Sequence, residues 1–327
     1  MVEPTAAATD QYLDFAAHAR GSSPCFVEWA TRLADDPEVL AWLDRLPVVK
    51  RQPNLVFAAA RWHGVPARGP YAGLRDALLG DDGAIAATIR SRSTQTNEVG
   101  RLATLVPAFA EVARGEPVAL LEAGASAGLT LFPDRWSYAW TTPDGVRRAG
   151  AGPVLVADVS GPAPLPDRVP RVAWRGGVDL DPGDVADEDR MRWLSTLVWP
   201  EEDARRARLE QAIEVARADP PALVRGALLE ELPALVDEAG RHARPIVFHS
   251  AVAAYLGADD RDRLHDLMSG LVADGRCHWV SNEAPQVLPR VTAARPVPAV
   301  PHHGFVLAVD GRPVALAHGH GAWLRWW

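Results

Sequence analysis

Lysine is almost missing from this chain: Lys50 is the only one, and arginine carries nearly all the positive charge. The arginines are scattered among acids and the formal charge is -8, which leaves no concentrated basic face of the kind nucleic-acid binding requires. Cysteine is scarce too. Cys25 and Cys277 stand far apart without a C-x-x-C partner, which excludes a disulfide framework and a zinc ribbon and points to reduced thiols in the cytoplasm. No apolar run approaches the roughly 20 residues that cross a bilayer, and no basic segment followed by an apolar run opens the chain, so neither a membrane span nor a secretion signal is expected. What remains is ordinary for a globular protein: 48% hydrophobic and 23% charged residues, enough for a sizeable core.

Up to about Val112 the apolar spacing is helical, as in Tyr12, Phe15, Ala16 and Ala19, and again in Phe26, Trp29, Ala30 and Leu33. No strand is expected before residue 117. A polar run over residues 91–98 opens a helix carrying Val99, Leu102, Val106 and Phe109, with Thr96 or Asn97 as its cap and Pro107 inside it. From Pro117 the texture changes. Val118-Ala119-Leu120-Leu121 reads as a buried strand, and two further stretches, 136–141 and 154–159, read as an antiparallel excursion joined by Pro143-Asp144-Gly145. Strands are expected at 171–174, 223–225, 246–248 and 278–280, with helices between them. Asp310-Gly311 between alternating runs predicts a closing hairpin at an antiparallel edge. This alternation predicts an α/β fold: an N-terminal helical cap over residues 1–115, then a Rossmann-like, seven-stranded sheet over 116–327.

The most informative segment is Leu120-Leu121-Glu122-Ala123-Gly124-Ala125-Ser126-Ala127-Gly128-Leu129. A strand that ends in small residues and feeds a helix presents backbone N–H groups to a ligand. No Lys-Ser/Thr follows Gly128, so a nucleotide P-loop is excluded. Glu122, Gly124 and Gly128 resemble the acidic strand end and glycine loop of class I S-adenosylmethionine methyltransferases, with Ser126 in place of the usual middle glycine. The same residues also match G-x-S-x-G, the elbow of α/β-hydrolases, where Ser126 would be the nucleophile and His320 or His249 its base. The helical texture upstream favours the first reading, because a hydrolase builds several strands before its elbow.

Several blocks in order, Arg92 to Arg101, Glu122 to Leu129, Gly177-Val178-Asp179-Leu180-Asp181-Pro182, Trp193 to Glu201 and Gly319-His320-Gly321-Ala322-Trp323-Leu324, resemble the uncharacterised family named domain of unknown function 2332. That resemblance implies a methyltransferase-like Rossmann fold and no particular reaction. Under the S-adenosylmethionine reading, Glu122, Gly124, Ala125, Ser126 and Gly128 line the cofactor. Asp179, or its competitor Asp158, accepts the ribose hydroxyls. The Gly226 amide meets the adenine, since Ala227 offers no side chain for it, and Asn97, Glu98 and Arg101 close over the amino-acid end. His249 is the candidate base, with a core histidine as the alternative, and Glu283 either pairs with the acceptor or caps a turn. His302-His303 and His318-Gly319-His320 lack a readable third ligand, so no metal is expected. The expected function is a methyltransferase, or a protein that binds S-adenosylmethionine without turnover, acting on a small molecule. The alternatives are the Ser126 hydrolase and a non-catalytic ligand-binding protein.

Overall fold

The computed structural model describes residues 4–95, 97–301 and 304–327. Thr96, a candidate cap, and His302-His303 lie outside them. The chain forms two compact units, residues 1–96 with 188–210, and residues 97–187 with 211–327.

The first unit is helical. It holds α1 (Pro4–Ala19), α2 (Pro24–Ala34), α3 (Pro37–Leu43), α4 (Pro53–Trp62), α5 (Tyr71–Leu79) and α6 (Ala84–Ser91). Local chemistry sets the starts: Ser23 accepts from the Phe26 amide and Asp36 from those of Glu38 and Val39, each just before a proline at the first helical position. The helical spacing foreseen for α2 buries Phe26, Trp29, Ala30 and Leu33. Phe26 and Phe57 pack at 5.1 Å between ring centres, and Phe15 lies 5.4 Å from Trp199.

The second unit begins with a short 3-10 turn, Val99–Arg101, then α7 (Leu102–Ala113), which contains Pro107. The cap is Glu98, whose carboxylate accepts from the Gly100 amide, rather than Asn97. Among the described residues no strand precedes β1 (Val118–Ala123). After it come β2 (Ser137–Thr142), β3 (Gly145–Gly150), β4 (Val154–Ser160), β5 (Val172–Asp179), α8 (Glu188–Leu197), α9 (Asp203–Ala218), β6 (Ala222–Arg225), α10 (Leu228–Gly240), β7 (Arg244–Ser250), α11 (Ala258–Ala273), β8 (His278–Glu283), α12 (Pro289–Ala293), β9 (Gly304–Val309), β10 (Arg312–His318) and β11 (Trp323–Trp326). Of these, α8 and the start of α9 belong to the first unit.

The strands form one mixed sheet of 11, in the order β3-β2-β4-β11-β10-β9-β8-β7-β1-β5-β6, rather than the seven expected. Two causes account for the excess. The Pro143-Asp144 turn joins β2 to β3, a strand whose exposed, arginine-bearing surface hid it from an apolar scan, and β4 then pairs with β2 in parallel, not antiparallel. The closing hairpin β9–β10 is not an edge either, because β11 pairs with β10 on one side and with β4 on the other.

The stretch β6-β5-β1-β7-β8 is parallel throughout. Successive side chains of a strand point to opposite faces, and residues paired across parallel strands share one. Leu121, Val247 and Trp279 therefore point together, into a core with Leu232 and Val236 of α10 and Leu264 and Met268 of α11. Glu122 and Phe248 point the other way, where Phe109 of α7 packs on Phe248 at 5.2 Å. This central part of the sheet is thus covered on both faces. The chain runs outward from β1 to β5 and β6, then returns to the other side of β1 for β7 and β8, which makes the gap between β1 and β7 a topological switch point.

Candidate functional site

Polar side chains gather at the carboxyl ends of these parallel strands, where a hydrophobic count would put none. Glu98, Arg101, Glu122, Ser126, Thr130, His249, Ser250, Ser281, Asn282 and Glu283 are all buried. Burial of so many polar groups needs a compensating network, and most of one is present.

On the α7 face, Glu122 accepts a 2.5 Å hydrogen bond from the Thr130 hydroxyl. Burial pushes its carboxyl up to about 8, against the opposing pull of Thr130 and Arg101, and Asp179 adds to the rise. Arg101 donates through Nε to the Gly319 carbonyl at 2.8 Å and through Nη1 to the Ser250 carbonyl at 2.9 Å. Asn282 donates to the Ser250 hydroxyl at 2.9 Å. The glycine-rich turn 318–321 presses on this region so closely that a Cβ at Gly321, which has φ +83°, would run into the Gly100 carbonyl.

On the opposite face His249 and Glu283 do meet. His249 Nδ1 lies 2.7 Å from Glu283 Oε1, which also accepts from the Val252 and Ala253 amides at 3.0 and 3.1 Å. The indole N–H of Trp279 can only donate, and it sits 3.1 Å from His249 Nε2. His249 therefore carries its proton on Nδ1 and accepts at Nε2. Both ring nitrogens are therefore engaged within the protein.

The glycine loop differs from the expectation in a second way. No α-helix follows it: 3-10 turns at Leu129–Leu131 and Pro133–Arg135 lead directly to β2. Most of its amides are turned inward. Gly124 and Ala125 donate to the Val178 carbonyl, Gly128 to the Ala125 carbonyl, Ser126 to Asp179 Oδ2 at 2.8 Å, and Leu129 to Asn97 Oδ1 at 2.6 Å. Gly124 has φ +73°, and a Cβ there would stand 2.5 Å from the Val252 methyls, so Val252 fills the space beside it at the switch point. Ser126 is buried with a left-handed φ of +51°.

Asp179 ends β5 beside this loop, half-buried, with Oδ2 on the Ser126 amide and Oδ1 on the Asp181 amide at 2.9 Å. Asp158 is exposed on β4 between β11 and β2, well away in the strand order. The Gly226 amide donates to the Asp179 carbonyl at 3.0 Å. Asn97 ties the loop together and Arg101 holds two carbonyls; neither lies open as a lid.

Sequence reasoning missed Leu180, Thr130, Ser250, Val252 and Asn282. Leu180 had a signal: it is a leucine flanked by Asp179 and Asp181 in an acidic segment, and it is 74% exposed. Three acceptors in the cluster, Glu122 Oε2, Asn282 Oδ1 and Glu283 Oε2, are buried without a partner. Among the described residues no group of three or more His, Cys, Asp or Glu is placed to hold a metal ion, and no helix is long and apolar enough to cross a membrane.

Fold and site together define a mixed α/β protein with a buried polar cluster at the switch point of its sheet. The chain belongs to the family described as uncharacterized protein conserved in bacteria (DUF2332), which it matches over residues 9–326. No curated protein and no solved structure matches it.

Proposed function

We propose that this protein binds a nucleoside-bearing small molecule at the carboxyl ends of β1 and β5, with S-adenosylmethionine and S-adenosylhomocysteine the first candidates, and holds it without proton transfer by His249. The observation that carries this is the pair Asp179–Leu180. The Asp179 carboxylate ends β5 beside the glycine loop, bonded to the Ser126 and Asp181 amides, which is the strand-end position where an acid meets a ribose diol. Leu180, exposed next to it, offers the apolar face that a purine ring would cover. Covering a lone leucine contributes on the order of 1–2 kcal/mol, which is enough to orient a base.

The fit to an adenosyl cofactor is one-ended. The nucleoside end has Asp179 and Leu180. At the amino-acid end, Asn97 and Arg101 bond the protein's own backbone, and Val252 occupies the place beside Gly124. That imbalance favours a binder over a methyl-transfer enzyme, and no catalytic step is assigned. The hydrolase reading finds less support, since both ring nitrogens of His249 have partners other than Ser126.

Calorimetric titration tests the proposal. S-adenosylhomocysteine should bind the parent chain, and Leu180→Glu should weaken it tenfold or more while leaving the unfolding transition in place, since an exposed side chain carries little stability. Absence of binding by either nucleoside, or unchanged affinity in Leu180→Glu, would reject it.

A further inference from the structure

The helical unit contains a cavity of about 520 Å³, lined among others by Arg61, Arg68, Thr196, Asp203 and Arg206. This lies within the range of small-molecule sites. Its charge is not balanced. Arg68 is neutralised by Asp203 at 2.5 Å. Arg61 and Arg206 have no carboxylate at ion-pair distance among the described residues. Arg61 donates through Nη1 to the carbonyls of Thr196 at 2.7 Å and Val198 at 2.8 Å. Arg206 reaches only the Trp199 carbonyl, at 3.3 Å, and its Nε–H is buried without an acceptor. Glu201 acts on Arg61 through its charge but makes no ion pair with it; its carboxylate accepts from the Ser23 hydroxyl at 2.5 Å and the Cys25 amide at 3.0 Å.

Two half-buried guanidiniums that face one cavity repel each other, and burial removes the water that would screen them. The strain is visible on Arg61: burial first, then the charge of Arg206, pulls its guanidinium down to about 10, while Glu201 and Cys25 only partly offset this. A folded protein keeps such an arrangement cheaply only when something anionic relieves it.

We propose that this cavity is a binding site for a small oxyanion of charge about minus two, a phosphate monoester being the best match, gripped by Arg61 and Arg206 with the Thr196 region as its wall. The forked donors of arginine suit phosphate and carboxylate oxygens alike, so a compact dicarboxylate shares the chemistry. The site is independent of the nucleoside site, since all its residues belong to the helical unit.

The test titrates the full chain by calorimetry with inorganic phosphate in one arm and malonate in the other, at low and at raised salt. Saturable binding of either ion, weakening as salt rises, is expected, and the tighter of the two assigns the headgroup. Arg206→Gln should reduce that affinity at least tenfold, because Arg206 makes a single long backbone bond and its loss leaves the fold intact. Arg20→Gln, at an exposed position, should change nothing. Arg206→Lys should recover part of the loss. No saturable binding of either ion, or equal affinity in Arg206→Gln and the parent with a normal unfolding transition, would overturn the proposal.

Discussion

Glu122 concentrates the physical tension of the site in one side chain. Its carboxyl is buried, holds one hydroxyl, and has a second oxygen with no partner. Folded, it stays protonated to about pH 8; unfolded, it ionises near the ordinary value of 4.5. The unfolded state therefore binds fewer protons across that window, and stability falls as pH rises from about 4.5 to about 8. Glu122→Gln keeps an oxygen for Thr130 and cannot ionise. Urea unfolding should show it level with the parent at pH 4 and more stable by roughly 4 kcal/mol at pH 8, whereas a difference independent of pH would contradict the assignment. Some of this was legible. Glu122 and Asp179 stand out as acids at the ends of apolar runs, and Asp179 does lie beside the glycine loop. The engagement of His249 was not legible, because its partners Trp279 and Glu283 come 30 or more residues later and only the β7–β8 register brings them together.

The glycine loop is an element whose torsions, rather than its open amides, explain its composition. Gly124 is held at φ +73° with Val252 packed against its α-carbon. Gly124→Ala should cost about 2–3 kcal/mol, part from the left-handed backbone and part from the collision. Adding Val252→Ala should return the collision part and leave ~1 kcal/mol unrecovered. Full recovery would mean the torsion is unstrained. From the sequence, the small residues of 123–128 read equally well as a ligand cradle or as tight packing. Only the hydrogen-bond partners of each amide separate these readings, and those partners, Val178, Asp179 and Asn97, lie outside the loop. Strands β1 and β7 were legible because each holds an apolar run buried on both faces, and β5 and β8 from the short stretches around Trp174 and Trp279. Strand β3 was not, since its Arg147 and Arg148 face solvent.

Across the whole molecule, the sheet depends on its last strand. Trp323–Trp326 is the joint between β10 and β4, so β2, β3 and β4 belong to the same sheet only through it. The sequence shows this segment as tryptophans among glycines, and nothing local distinguishes a joining strand from an apolar surface patch. Deleting residues 323–327 should raise hydrogen exchange in β2 and β4 by roughly tenfold or more while β1, β5 and β7 keep their protection; uniform loss of protection would mean the sheet has no such seam. Towards the other end of the sheet order, β1 and β5 carry the proposed nucleoside site. Its most direct test is a crystal structure with S-adenosylhomocysteine at saturation. The account predicts the purine against Leu180 and both ribose hydroxyls on the Asp179 carboxylate. A nucleoside bound elsewhere, or none at all, would contradict it.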